Sequence, residues 1–220
     1  MKVLIVGATG FVGKEVLRQT LEAGHEVTAL LRNPDAVADQ PRLRKLKGDA
    51  TDAAAVREAV KGQDAVIDAI GLSTSAAPRR GGNVPKGQGT TLFSVSAQHL
   101  VDAMKAEGVK RLIAMSNVGV GETRSAVPWI AWKVVFPLFL PFLIAIFEDK
   151  ERMEPIIMTS GLDWTIVRYN GIGGNKAKGT TRVALNGKVG FSMTVPDSAK
   201  FLVDKLTDRT WVGKATSVSN

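Results

Sequence analysis

Gly7-Ala8-Thr9-Gly10-Phe11-Val12-Gly13 sets three glycines three residues apart. That spacing suits a phosphate. The first glycine frees φ for a sharp exit, the second lets backbone approach an anion with no Cβ in the way, and the third lets a helix lie close on its sheet. The N–H groups of a helix opening there, aided by its dipole, favour negative charge. Three glycines can also serve a tight turn and nothing else, so the flanks decide. Lys2 to Val6, just before, is apolar and β-branched, as a strand covered on both faces should be. Val12, Val16, Leu17 and Leu21, just after, recur at helical spacing. Strand, glycine turn and helix make a dinucleotide the expected ligand, with Gly7, Thr9, Gly10, Phe11, Val12 and Gly13 at its pyrophosphate.

Further along, Glu26 to Leu31 reads as a second strand ending in Arg32-Asn33-Pro34, with no acid at its tip. A carboxylate there would take the ribose hydroxyls of NAD(H). Arg32 would pair instead with a 2′-phosphate, which favours NADP(H) over NAD(H). The plainer reading of Arg32 is a solvated loop residue. After the third strand comes Gly48-Asp49-Ala50-Thr51-Asp52, where Asp49, beside Ala50, could accept from the adenine amino group while Asp52 caps the next helix. Ala69-Ile70-Gly71 closes the fourth strand, and so small a run lets backbone lie along the cofactor ribose.

These residues need a scaffold that brings strand ends together. Strands are expected at Lys2–Val6, Glu26–Leu31, Leu43–Leu46, Asp64–Ile70, Lys110–Met115 and Asp163–Val167. Helices are expected from Val12 to Gly24, at Ala53–Lys61 and at Leu92–Glu107. Two more follow: Glu148–Thr159, flawed by Pro155, and a last one capped by Asp197-Ser198 and running to Leu206. Strands alternating with helices predict repeated βαβ units. The expected fold is α/β, a single Rossmann-type doubly wound parallel sheet over residues 1–220. Two stretches break the alternation. Ser73–Gly89 is a Gly/Ser/Pro/Arg loop carrying Arg79 and Arg80, and Gly119–Phe147 is an insertion with a very apolar second half. That insertion and Gly171–Val195 would form a small substrate lobe.

Composition narrows the classes. A chain of 220 residues with 45% hydrophobic and 23% charged residues can bury its own core. With no Cys and two His, a disulfide framework, a thiolate metal site and a cysteine nucleophile fall away, and no metal is expected. A reducing, cytoplasmic compartment fits. The net charge of +8 suggests an acidic partner. Its basic residues are scattered and aromatics are only 6%, which speaks against nucleic acid.

Taken together, VGATGFVG, VTALLRNP, KGDATD, GQDAVIDAIG, MKAEGVKRLIAMSNVG, DKERMEPIIMTSGLDWTIVR and VPDSAKFLVDKL resemble the atypical short-chain dehydrogenase/reductases. The likeness is to their NAD(P)H-binding, NmrA-like group, and within it to the biliverdin reductase B/flavin reductase type. The resemblance implies an NADPH-dependent reductase. The Tyr-x-x-x-Lys pair of tyrosine-dependent members is absent: the single tyrosine, Tyr169, precedes Asn-Gly-Ile-Gly. Lys150 stands where isoflavone-reductase-like relatives carry a lysine, and by that likeness would bind the nicotinamide ribose or polarise a substrate oxygen, unless it is an exposed lysine of a charged helix start. Ser116 and Asn117 end the fifth strand, where the family carries a hydroxyl facing the nicotinamide, unless they only close the strand. Tyr169 would sit over the ring, donate a proton, or simply pack.

Trp129 to Phe147 approaches the length of a membrane span, but Lys133, Pro137 and Pro141 argue against a simple one. A flap of two short helices, with Trp129, Trp132, Phe136, Phe139 and Phe142 lining a pocket for a bulky apolar small molecule, is the leading expectation. A dimer contact, a membrane-surface contact and plain core are the alternatives. Arg79 and Arg80 could meet an acidic group at the same mouth. Two rivals to a reductase remain: a non-redox isomerase or cyclase that keeps the cofactor site, and an NADP(H)-sensing assembly protein.

Overall fold

The computed structural model describes residues 1–71, 89–139 and 141–220. Each apolar run becomes a strand of one sheet. The strands are β1 (Lys2–Val6), β2 (Glu26–Leu31), β3 (Leu43–Lys47), β4 (Ala65–Asp68), β5 (Arg111–Asn117), β6 (Asp163–Tyr169), β7 (Arg182–Ala184) and β8 (Lys214–Ser219). Their spatial order is β3-β2-β1-β4-β5-β6-β8-β7. All neighbours are parallel except β7, which runs antiparallel to β8. The chain winds outward from β1 in both directions, so β1 and β4 are neighbours whose following connections part. The crevice between their carboxyl ends is where such sheets take ligands.

The helices are α1 (Gly13–Glu22), α2 (Ala53–Val60), α3 (Leu92–Glu107), α4 (Phe136–Phe139), α5 (Pro141–Met158) and α6 (Val195–Asp204). Alternate strand residues feed two cores, as the period of two requires. Val3, Ile5, Ile67, Ile113 and Val167 pack with Val16 and Leu17 of α1 and Leu202 of α6. Leu4, Val66, Leu112 and Ile166 pack with Val56 of α2, Leu100 of α3 and Met153 of α5. The fold is the expected doubly wound Rossmann-like sheet.

Three local expectations need correction. The sheet is not wholly parallel, because β7 and β8 extend it past β6. The β8 segment, Lys214-Ala215-Thr216-Ser217-Val218-Ser219, carries little apolar signal, yet Thr216, Ser217 and Ser219 are buried between its neighbours. The helix expected at Glu148 begins at Pro141 and runs through Pro155, so the end of the apolar insertion is not flap but the first turns of α5. There Ala145, Ile146 and Phe147 are buried. The cap of α6 is Thr194, whose hydroxyl accepts from the Asp197 N–H. Asp197 lies in the first turn, and its carboxylate takes the N–H groups of Lys178 at 2.8 Å and Gly179 at 3.2 Å, tying the 171–195 stretch to the domain.

Candidate functional site

The glycine turn meets the end of β4. Gly7 leaves β1 at φ +83°, and a Cβ on it would lie 2.6 Å from the Ala69 carbonyl oxygen. A Cβ on Gly13 would lie 2.0 Å from the Gly7 oxygen, so the start of α1 sits against the strand exit with no room for a side chain. Gly10 donates to the Gly7 oxygen at 2.9 Å, and its own Cβ would meet that oxygen at 3.1 Å, tight but not prohibitive. Among the described residues the N–H groups of Phe11, Val12 and Gly13 have no backbone acceptor, and no side chain caps α1. Unsatisfied N–H groups at a helix start, beside backbone stripped of Cβ atoms, fit a dinucleotide pyrophosphate. Thr9 and Phe11 are exposed at the rim, whereas Val12 is turned into the core.

The other proposed cofactor residues lie along the same edge. Arg32 is exposed directly after β2 and forms no ion pair with a carboxylate among the described residues. Its charge reaches Asp49, whose carboxyl is held below its ordinary range, chiefly by the Thr51 N–H. The Asp49 Oδ1 accepts from the Thr51 N–H at 2.9 Å and hydroxyl at 2.7 Å, while Asp52 caps α2 through the N–H groups of Ala54 and Ala55. Ala50 is half-buried against the α2 side of the core. A Cβ on Gly48 would meet Leu30 Cδ1 at 2.8 Å, so this glycine lets the loop lie close on β2. Ala69, Ile70 and Gly71 lead away from β4 beside the glycine turn, Ala69 donating to the Val6 oxygen at 3.0 Å.

Past β4 the edge is built from side chains. Ser116 and Asn117, adjacent on a strand, point to opposite faces. Asn117 shares the α1/α6 face with Met115 and Tyr169. Ser116 lies on the α5 face, buried, its hydroxyl without a partner among the described residues. On that face Lys150 of α5 is no exposed helix-start lysine. It is buried, donates to the Met115 carbonyl at 2.9 Å, and stands 4.6 Å from the centre of the Phe93 ring. Burial pulls its ammonium down to about 8, against the opposing pull of Asp68, Glu154 and Asp149. Asp68, the last residue of β4, is buried on the same face and accepts from the Ile70 N–H at 3.1 Å. Burial raises its carboxyl to about 6, opposed by that N–H and by the Lys150 charge. Sequence reasoning missed Asp68; the signal was an acid ending an otherwise apolar strand.

Two neighbours fix this arrangement. Asp149 accepts from the Phe93 N–H at 2.7 Å and from the Ser94 hydroxyl, so α5 caps α3. Arg168, paired in register with Ser116, is buried and bridges Glu154 at 2.9 Å and Glu122 at 2.6 Å. Tyr169 is corrected: its phenol lies in the core and donates to the Ser198 carbonyl at 3.3 Å, and burial drives it far from ionisation. It is neither over a ring at the mouth nor poised to pass a proton.

The expected pocket residues part company. Trp129 faces outward, 73% exposed. Trp132, Phe136 and Phe147 pack on one another, with ring centres 4.8–5.7 Å apart, over Gly119, and Arg124 lies 4.5 Å from the Trp132 ring. Phe142 packs on the α3/α5 core. The side chain of Phe139 and the loop with Arg79 and Arg80 lie outside the described residues. A π-helical turn at Ala131–Val135 continues into α4, in place of two separate short helices. No helix among the described residues is long and apolar enough to cross a membrane. A cleft of about 480 Å³ lined by Lys2, Thr28, Arg42 and Lys61 lies at the amino ends of the strands, the wrong edge for a dinucleotide.

A family model described as NAD(P)H-binding matches residues 7–209. An uncharacterized chloroplast protein of Arabidopsis thaliana is 28% identical over 180 residues, covering 78% of this chain and 59% of that protein. A 3-diazoavenalumate denitrifying reductase of a Streptomyces species is 27% identical over 198 residues, covering 86% of this chain and 64% of that enzyme. The chain thus spans about six-tenths of the length of these two relatives. ChuY of Escherichia coli O157:H7, an anaerobilin reductase, superposes with a TM-score of 0.79 at 20% identity, over 100% of this chain and 97% of the other. The chain belongs to the NAD(P)H-binding family, on a Rossmann-like fold.

Proposed function

From that membership we propose that the protein is an NADPH-dependent reductase of a bulky, largely apolar carbonyl, quinone, flavin or conjugated substrate. The observation that carries the reading is the continuity of one edge. The glycine turn at Gly7–Gly13 adjoins Ala69, and buried Asp68 and Lys150 follow with the Ser116 hydroxyl, which has no partner among the described residues. When bound, the dinucleotide would supply a hydride. The N–H groups of Phe11 to Gly13 would hold the pyrophosphate, Arg32 the 2′-phosphate, and the free oxygen of Asp49 the adenine amino group. The Ser116 hydroxyl would donate to the substrate oxygen or ring nitrogen that gains charge. Lys150 would keep a positive charge under that position, its carbonyl bond to Met115 fixing its reach. With Tyr169 sequestered, the proton comes from solvent, the substrate or this ammonium.

The test is steady-state oxidation of NADPH with a panel of quinones, flavins and conjugated carbonyls, alongside calorimetric titration of NADPH and NADH. Acceptor reduction matched to NADPH consumed is the expected result. Product formation at constant NADPH would replace the reductase with an isomerase, and the absence of dinucleotide binding would sink both.

A further inference from the structure

The helical run from Trp129 to Phe139 turns Trp132 and Phe136 inward and leaves its other side bare. Trp129, Ile130, Val134, Val135 and Leu138 are exposed, Ile130, Val134 and Leu138 forming a stripe at a spacing of four. A helix apolar on both sides ordinarily has something on each. Leu185 and Phe191, the latter 87% exposed, belong to the stretch after β6. That stretch is joined to the first one, because a Cβ on Gly187 would lie 2.8 Å from Ala126 Cβ and 3.0 Å from Thr123 Cβ. Seven of the nine exposed large apolar side chains among the described residues fall in these two stretches.

Charge follows the same division. No carboxylate occurs between Glu122 and Glu148, nor between Asp163 and Asp197, while Arg124, Lys133, Arg168, Lys176, Lys178, Arg182 and Lys188 do. The rest of the chain holds 22 Lys and Arg against 21 Asp and Glu, so these stretches carry nearly all of the net +8. Arg168 and Arg124 are paired with carboxylates. Lys133, Lys176, Arg182 and Lys188 are exposed and reach no Asp or Glu side chain among the described residues, and exposed Lys178 donates to the Asn220 oxygen at 3.3 Å.

We propose that this face is a peripheral docking surface for an anionic lipid bilayer. A second copy would bring the same cations against these, with no acid within either stretch to pair them. Anionic headgroups meet the lysines, the acyl boundary takes Ile130, Val134, Leu138 and Phe191, and an interfacial tryptophan suits Trp129. The run leaves the carboxyl end of β5, the edge that carries the glycine turn, so docking brings that edge to a surface where bulky apolar compounds partition.

The full chain is sedimented with vesicles of phosphatidylglycerol and phosphatidylcholine in equal parts, and with phosphatidylcholine alone, while light scattering reports its mass in solution. We expect binding to the anionic vesicles only, weakened at least about tenfold between about 0.1 M and about 0.5 M salt. Comparable losses are expected in Ile130→Ser/Leu138→Ser and, independently, in Lys133→Glu/Lys188→Glu, with circular dichroism and calorimetric NADPH binding showing the fold intact. No binding, equal binding to both vesicles, or binding unmoved in both double variants would overturn the proposal. So would a dimer that the Ile130→Ser/Leu138→Ser variant dissociates, which would assign the face to a second copy.

Discussion

The β1–β4 half of the ligand edge and the β5–β6 half are built on different principles. The first is made of backbone: Gly7, Gly13 and Ala69 approach so closely that no side chain fits, and its offered groups are N–H donors. The second is made of buried ionisable side chains, Lys150, Glu154 and Arg168, with Asp68 facing them from the end of β4 on the same side of the sheet; Arg168 is paired with Glu154, and Asp68 and Glu154 act on the Lys150 charge. Backbone sites fail by steric intrusion and are insensitive to pH. Side-chain sites fail by leaving a partner unpaired, and they titrate.

The largest effect is expected where the second half is most buried. Burial opposes the Arg168 charge, yet Glu154 and Glu122 outweigh it and hold the guanidinium protonated well above its ordinary range. Arg168→Met strands Glu154 in the core, and breaking such a pair costs about 3–5 kcal/mol. Chemical denaturation should show that loss, with dinucleotide affinity of the folded fraction preserved because the glycine turn lies across the sheet. Equal loss of both would mean that the halves are not independent.

Gly10→Val attacks the other half. Its Cβ contact with the Gly7 oxygen, 3.1 Å, can be relieved by a small shift, so the fold should survive. The side chain then stands in the path proposed for the pyrophosphate, and affinity should fall at least about a hundredfold, ~2.8 kcal/mol. Thermal melting and calorimetry on the same sample separate the two. A melting loss with native affinity would contradict the division of labour.

The contrast between the halves also explains what could be read in advance. Glycines at fixed spacing after an apolar run leave a mark in the sequence, and so does Arg32 where an acid would stand. β1, β2 and α3 fall on their expected residues for the same reason, clean periodicity bounded by Gly or Pro. The second half leaves no such mark. Whether Lys150 is solvated or buried depends on α5 packing on α3, and Tyr169 is inward because strand alternation puts it on the α6 face. Asp68 comes within reach of the Lys150 charge only through the sheet order. β8 escaped because buried Thr and Ser imitate a loop.

Arg32→Asp sharpens the comparison at the rim, where a side chain serves the backbone half. The substitution removes a charge-assisted partner and sets a carboxylate beside the position proposed for a 2′-phosphate. NADPH affinity should fall by about tenfold, ~1.4 kcal/mol, while NADH affinity holds or rises. Native NADH preference in calorimetry would remove the role given to Arg32.

The smallest effect is a shift in pH rather than a loss. Burial sets the Lys150 ammonium at about 8, below the ordinary lysine value of 10.5. Its protonated form therefore costs stability below about pH 8, and the cost is relieved as pH rises from there toward 10.5. Asp68 is the foremost group pulling the other way. Its own carboxyl, raised to about 6, is ionised at neutral pH, and that ionisation costs stability above about pH 6. Asp68→Asn removes the negative charge and keeps the shape, so Lys150 should lose its proton at lower pH than before. If that ammonium supports turnover, the alkaline limb of kcat/KM should fall near pH 8 in the native protein and move acidward in Asp68→Asn. Lys150→Met should abolish the limb, and NADPH affinity at the glycine turn should stay the same in both variants. A limb that does not move when Asp68 is neutralised would mean that Asp68 and Lys150 are structural neighbours only, and that the second half of the edge owes its chemistry to Ser116 alone.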